Sequence, residues 1–117
     1  MYKDEGVGTM MNHDDLVMYI ATKLERNEQR RAERIGEIPN TIDTFVDYKC
    51  KELDIRVTNS LFEVIRVYEI KRHGHIGKAC CQLYSAREFL SYRQDTPIQL
   101  IYVSQWDDGK IRAKRIL

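Results

Sequence analysis

Residues 53–83 read LDIRVTNSLFEVIRVYEIKRHGHIGKACCQL and contain the features that decide the fold. The β-branched and aromatic residues on either side of TNS predict two strands, with the polar TNS residues as the turn between them. The second strand is predicted over residues 61–71, and the glycines of RHGHIG end it. We therefore expect a β-hairpin near the middle of the chain.

Helices are predicted on both sides of this hairpin. The first begins near residue 12, with Asn12 or Asp14 as its N-cap, and the sequence GEIPN ends it. The second covers residues 78–92 and ends before Pro97. The apolar positions at helical spacing are Leu16, Val17, Ile20, Ala21 and Leu24 in the first helix and Ala79, Leu83, Ala86 and Leu90 in the second.

Further strands are predicted before and after this central region. Residues 41–57 form one or two strands, while residues 98–106 and 110–117 form two more, joined by a turn at Asp108 and Gly109. A helix between two strands of one sheet implies a crossover, so we predict an α/β (α+β) fold with a mixed sheet of about four to five strands flanked by helices. Residues 1–11 are predicted to be a flexible arm, and residues 12–117 a single domain.

Composition excludes several classes of protein. No apolar run approaches the roughly 20 residues that span a bilayer, so we expect an intracellular, cytoplasmic protein without a membrane partner. The three cysteines, Cys50, Cys80 and Cys81, form no CxxC pair and indicate neither a disulfide framework nor a zinc ribbon. The net charge of +1 does not by itself indicate a nucleic-acid-binding protein.

The hairpin brings together residues able to bind a metal ion. Side chains of a strand alternate between its faces, so Glu69 and Lys71 share one face with Ile65 and Val67. If the two strands pair through TNS, the carboxylate of Asp54 lies beside that of Glu69. Two adjacent carboxylates repel each other unless a cation lies between them, and oxygen ligands of this kind suit Mg²⁺ or Mn²⁺.

The order of these residues forms a motif: Asp54 is followed fifteen residues later by Glu69 in the sequence EIK, and then by a predicted helix with Gln82 in the sequence QL. This motif resembles that of the PD-(D/E)xK nuclease superfamily, which includes restriction endonucleases and archaeal Holliday junction resolvases. The resemblance covers about residues 13–105 and implies a restriction endonuclease-like core. It implies that Asp54 and Glu69 bind Mg²⁺, that Lys71 assists the attacking water, and that Gln82 positions that water or the lysine.

The chain departs from the family pattern in three places. No proline precedes Asp54, and Ala86 stands where some exonuclease-like branches have a tyrosine. Several members add an acidic residue from the first helix, and the sequence leaves three candidates for that role. These candidates are Asp14, Asp15 and Glu25.

The resemblance implies a metal-dependent DNA endonuclease, that is, a phosphodiester hydrolase with Mg²⁺ as cofactor and Mn²⁺ as a substitute. So small a domain offers limited surface to DNA, and we expect a homodimer. Basic residues near the first helix end and the HGH turn are expected to contact phosphates, namely Arg30, Arg31, Arg72 and Lys78. A chain this compact suits a virus or mobile element, in which case it would act in the host cytoplasm.

Other interpretations remain open at this stage. A catalytically inactive module with the same fold could bind nucleic acid or protein, and the EIK residues could be a solvated strand end. The sugar and the shape of the substrate are not specified, so an RNA-directed nuclease is a further alternative. His73, His75, Cys80 and Cys81 lack the spacing of a typical zinc site.

Overall fold

The computed structural model describes residues 10–48 and 51–117, which form a five-stranded sheet with one helix on each face. Residues 1–9, most of the predicted arm, and Cys50 lie outside the described residues. The elements in chain order are α1 (His13–Ile35), β1 (Thr41–Tyr48), β2 (Lys51–Thr58), β3 (Val64–Arg72), α2 (Ile76–Ser91), β4 (Gln99–Gln105) and β5 (Ile111–Arg115).

The strands lie side by side in the order β1-β2-β3-β4-β5. The first three pair antiparallel, β3 and β4 pair parallel, and β4 and β5 pair antiparallel. The single parallel pair is connected by α2, because parallel neighbours need a crossover. The predicted mixed sheet flanked by helices is confirmed, and the strand region of residues 41–57 proves to be two strands.

Helix α1 begins and ends at well-defined caps. The side-chain Oδ1 of Asn12 accepts a hydrogen bond from the main-chain N of Asp15 at 2.8 Å, which satisfies one of the unpaired donors of the first turn. Gly36, with φ 70°, ends the helix in the left-handed conformation that glycine adopts without steric cost. Of the two predicted caps, the structure uses Asn12.

The two faces of the sheet carry separate apolar cores. Helix α1 packs its predicted apolar stripe against Ile55, Tyr68 and Ile70 on one face, and α2 packs Ala79, Leu83 and Ala86 against the other. Neither helix within residues 10–48 and 51–117 is long and apolar enough to cross a membrane. Met11, the last residue of the predicted arm, packs against the α1 core and donates its main-chain N–H to the Oε1 of Gln105 at 3.0 Å.

The predicted position of Ile65 is wrong. Val64 and Val67 both belong to the α2 core, although regular alternation would place them on opposite faces, and Ile65 packs against the α1 core. The cause is a register shift, since Val57 pairs with Arg66 while the next residue, Thr58, pairs with Val64. The extra residue of this β-bulge turns Ile65 to the other face.

Candidate active site

The ladder between β2 and β3 stops where the predicted site residues stand. The pairing, which includes the bulge after Val57, runs from Thr58 with Val64 to Ile55 with Tyr68. Beyond that point Asp54 Oδ2 accepts a hydrogen bond from the N–H of Ile70 at 2.8 Å, and Glu69 Oε1 accepts one from the N–H of Asp54 at 3.3 Å. The two carboxylates therefore take the place of main-chain carbonyls, and each binds the main chain of the other strand.

An irregularity in β2 explains how the Asp54 side chain reaches its neighbour. Ile55 belongs to the α1 core and Leu53 to the α2 core, although residues two apart in a regular strand share a face. On β1, Phe45 lies between the partners of Ile55 and Leu53 and has φ 52°, the left-handed region that bulky residues rarely adopt. The strands are thus twisted locally, and the twist carries Asp54 towards β3.

The other oxygen of each carboxylate faces a basic side chain. Asp54 Oδ1 lies 3.2 Å from His13 Nε2 on the first turn of α1, and Glu69 Oε2 lies 3.8 Å from Lys71 Nζ. Asp54 is 3% exposed and Glu69 is 1% exposed, so both carboxylates are removed from bulk water. The predicted group of Asp54, Glu69 and Lys71 is brought together in one cluster, with His13 added from the other side.

The electrostatics of this cluster are unbalanced. Burial, followed by the adjacent charge of Asp54, raises the pKa of Glu69 to about 8, and Lys71 and His13 offset only part of that rise. Partial burial acts to lower the pKa of His13, but Asp54 and Asp14 outweigh it and raise that pKa above its ordinary value. The positive charge of Lys71 and His13 is therefore less than two buried carboxylates need if both are to be ionised.

His13 was not among the predicted site residues, although the sequence contains the signal for it. It stands four residues before Val17 and seven before Ile20, so it continues the buried stripe of α1 to the helix start. Asp14, by contrast, is 79% exposed and lies 3.2 Å from His13 Nδ1. Among the described residues, no hydrogen bond or ion pair joins Asp54 or Glu69 to any of the three candidate first-helix acids, Asp14, Asp15 and Glu25.

Gln82 lies in the layer next to the cluster. Its main-chain carbonyl accepts a hydrogen bond from the hydroxyl of Tyr48 at 3.2 Å, and the pKa of Tyr48 is raised by burial and by the charge of Glu69. The side-chain Oε1 of Gln82 is buried and has no donor within the described part of the protein. A buried acceptor of this kind is satisfied by water or by a ligand, which is compatible with the predicted positioning role.

The predicted phosphate-contacting residues fall into two groups. Arg72 and Lys78 are exposed and flank the turn between β3 and α2, next to Lys71. Arg30 and Arg31 lie about 25 Å away, since α1 rises about 1.5 Å per residue from His13. Arg31 is also paired with Glu28 and Glu37, and it lines a groove of about 990 Å³ at the far end of the sheet.

The described residues contain no group of three or more His, Cys, Asp or Glu side chains arranged to hold a metal ion. The possible donors are thus the two carboxylates of Asp54 and Glu69. Cys80 and Cys81 are free thiols. Comparisons of the chain with protein-family models, with curated proteins and with solved structures return no match.

Proposed function

We propose that this protein is a metal-dependent nuclease that hydrolyses phosphodiester bonds of DNA. The observation that carries the proposal is the buried pair of Asp54 and Glu69, in which the pKa of Glu69 is raised to about 8. Strongly perturbed carboxylates with a specific charged partner are typical of functional sites, because a purely structural pair has no need of the unfavourable charge.

The donor set fits a hard divalent cation. Mg²⁺ usually retains several waters and needs only one or two protein carboxylates, and Asp54 Oδ1 and Glu69 Oε2 are the two oxygens not bonded to main-chain N–H groups. When bound, Mg²⁺ or Mn²⁺ would supply positive charge opposite the developing charge of the scissile phosphate.

The remaining roles belong to side chains of this chain. Lys71 is 24% exposed, so its ammonium group can reach both the Glu69 carboxylate and a phosphate in the solvent, where it orients the attacking water and offsets negative charge. Gln82 positions the water or the lysine through its free Oε1. Arg72 and Lys78 contact the neighbouring phosphates, and Arg30 and Arg31 could do so only for a longer segment of DNA.

A second candidate function is supported by the same hydrogen bonds. Every oxygen of the two carboxylates already has a partner, and two of the bonds replace strand pairing. This arrangement would also suit an inactive module that uses the fold to bind nucleic acid or protein. Dependence on metal separates the two candidates.

The proposal includes a homodimer acting on DNA in the cytoplasm, which would be the host cytoplasm for a viral or mobile-element protein. A single domain of this size presents a small basic surface to a duplex. Sedimentation at micromolar concentration, with and without DNA, tests the dimer. A monomer under both conditions would remove this part of the proposal.

The first experiment is cleavage of labelled linear, branched and single-stranded DNA, and of RNA, in Mg²⁺, in Mn²⁺ and in chelator. We expect cleavage that depends on the metal and is lost in Asp54→Asn, Glu69→Gln and Lys71→Gln. Glu52→Gln and Lys110→Gln are matched controls, since both residues are exposed and one stands two positions from Asp54. DNA binding without cleavage in every metal would favour the inactive module, and unchanged cleavage by the three site variants would reject the assignment of the site.

A further inference from the structure

The strand register continues the candidate site across the sheet towards β5. Glu69 pairs with Tyr102, and Tyr102 pairs with Lys114. Two residues further along β3, Lys71 pairs with Ser104, and Ser104 pairs with Arg112. Neighbouring strands lie about 4.8 Å apart, so β5 stands about 10 Å from β3, which carries Glu69, and one strand further from Asp54 on β2.

All of these side chains belong to the face that carries α2. Leu100 and Tyr102 are part of the α2 core, and alternation places Ser104 on the same face. On β5, Ile111 and Ala113 pack against the α1 core, so Arg112 and Lys114 point to the α2 face. The row therefore runs along one face of the sheet, from the buried Glu69, Tyr102 and Ser104 to the half-buried Arg112 and the exposed Lys114.

A pocket of about 480 Å³ opens at the β4–β5 end of this row, and one of its lining residues, Tyr102, is the register partner of Glu69. Tyr102 and Ser104 line it from the sheet, Ile76 from the start of α2, and Trp106 from the end of β4. The imidazole ring of His73 stacks on the ring of Trp106, with 3.4 Å between the ring centroids. The guanidinium carbon of Arg112 also lies over the Trp106 ring, 4.4 Å from its centroid. Because His73 and Arg112 already cover the ring of Trp106 and Tyr102 is buried, the lining offers aromatic and aliphatic contact atoms rather than a free stacking face. A small apolar enclosure of this kind suits the body of a planar heterocycle.

The rim of the pocket is basic. Arg112 and Lys114 line it, and no acidic residue is among the side chains that do. Asp108, in the turn before β5, lies 3.7 Å from Arg112. Lys114 is exposed and has no carboxylate partner in the described structure. A ligand that complements both features carries an aromatic ring and a negative charge.

From this geometry we infer that the pocket binds an unpaired nucleotide of the substrate, with the base between Ile76 and Trp106 and its phosphate at Lys114. The inference rests on the proposed function, since it assigns part of the substrate next to Asp54 and Glu69. A base within a duplex is stacked and paired, so it cannot enter such a pocket without leaving the helix. The preferred substrate class is accordingly DNA with an unpaired strand or end.

The chain contains a single tryptophan, and Trp106 is that residue, so its fluorescence reports on this pocket alone. The experiment titrates the full-length protein in chelator with thymidine 5′-monophosphate, with a thymidine tetranucleotide, with thymidine and with inorganic phosphate. We expect saturable quenching by the two nucleotides and much weaker binding of thymidine. In Lys114→Gln the nucleotides should bind about three- to fivefold more weakly, as for the loss of one exposed charge pair.

Lys110→Gln is the matched control, because Lys110 is an exposed lysine of the same hairpin that does not line the pocket. It should bind as the unsubstituted protein does. Absence of saturable quenching, equal binding of thymidine and its monophosphate, or equal weakening by both lysine variants would each overturn the inference.

The readout also separates this inference from the proposed function. Asp54→Asn should abolish cleavage and leave the quenching by the tetranucleotide unchanged. Metal-dependent cleavage without quenching would reject the pocket and keep the nuclease. Saturable quenching without cleavage in any metal would keep a nucleotide pocket and reject the nuclease.

Discussion

Glu28 and Glu69 are two buried glutamates with opposite electrostatics. Glu28, on α1, is 6% exposed, and hydrogen bonds from Arg31 and from the main-chain N of Asn40 lower its pKa. Glu69 is 1% exposed, and burial beside Asp54 raises its pKa. The nearest cation to Glu69 lies 3.8 Å away, too far for a normal hydrogen bond, whereas Arg31 Nε lies 3.0 Å from Glu28.

The comparison distinguishes a carboxylate that stabilises the fold from one that is available to a ligand. Glu28 joins α1 to the start of β1, and its charge is balanced within the protein. Glu69 receives one long hydrogen bond from Asp54, and its charge is not balanced. Burial alone therefore does not single out Glu69, and the proposed site depends on burial without a matched cation.

The largest difference between substitutions of Glu69 and of Glu28 should appear in the rate of DNA cleavage. If Glu69 holds the metal ion, Glu69→Gln should lower the rate of DNA cleavage by roughly 10²- to 10³-fold, because the carboxylate oxygen would no longer balance the cation. Glu28→Gln, assayed at a temperature where it is folded, should stay within a few-fold of the unsubstituted protein. Equal losses in both variants would remove the distinction between the two glutamates.

The next effect is the dependence of stability on pH in chelator. A carboxyl with a higher pKa in the folded state holds its proton more tightly there, so the free energy of unfolding falls as the pH rises from about 4.5 to about 8. We expect a fall of about 4 kcal/mol from this group over that range, and Glu69→Gln should remove it. Chemical denaturation at several pH values measures it, and a variant with the same pH profile as the unsubstituted protein would contradict the raised pKa.

Glu28→Gln should give a stability loss of about 2 kcal/mol at pH 7, since it leaves Arg31 partly buried without its main partner. Glu37 provides the matched control, because it also pairs with Arg31 but is 61% exposed. Glu37→Gln should cost no more than about 0.5 kcal/mol. Urea denaturation of both variants tests this, and a Glu28→Gln protein as stable as Glu37→Gln would show that the α1 pair has no structural role.

The smallest effect concerns His13. A histidine whose pKa is raised by folding stabilises the protein fully below its unfolded pKa of 6.5, and this contribution disappears as the pH rises through the higher folded value. Because its side chain is 43% exposed, His13→Gln should cost only about 0.5 kcal/mol at pH 5.5 and nothing at pH 9. An equal cost at both pH values would show that the imidazole acts by packing alone.

The regular parts of the fold followed from the sequence. Periodicity identified both helices and the hairpin, and alternation placed Glu69 and Lys71 on one face. Local pattern could do this because each of these features depends on residues that are close in the chain. The order of the five strands then required only that neighbours in sequence pair and that α2 supply the crossover.

The features that were missed depend on contacts between distant residues. The bulge that turns Ile65 arises from the register of β2 against β3, and the twist at Asp54 accompanies the left-handed conformation of Phe45 on a third strand. The burial of Glu28 depends on a main-chain donor from Asn40, twelve residues later in the chain. The role of His13 depends on the packing of α1 against the sheet, which brings its imidazole to Asp54 on β2.

The hydrogen bonds between carboxylates and main-chain N–H groups at the end of the β2–β3 ladder provide an internal reporter on the state of the candidate site. The amide protons of Asp54 and Ile70 are each bonded to a carboxylate of the candidate site. Their NMR resonances should therefore respond when these carboxylates gain a proton or a cation, before any substrate is added. Two backbone amides thus make the occupancy of the site visible at atomic resolution.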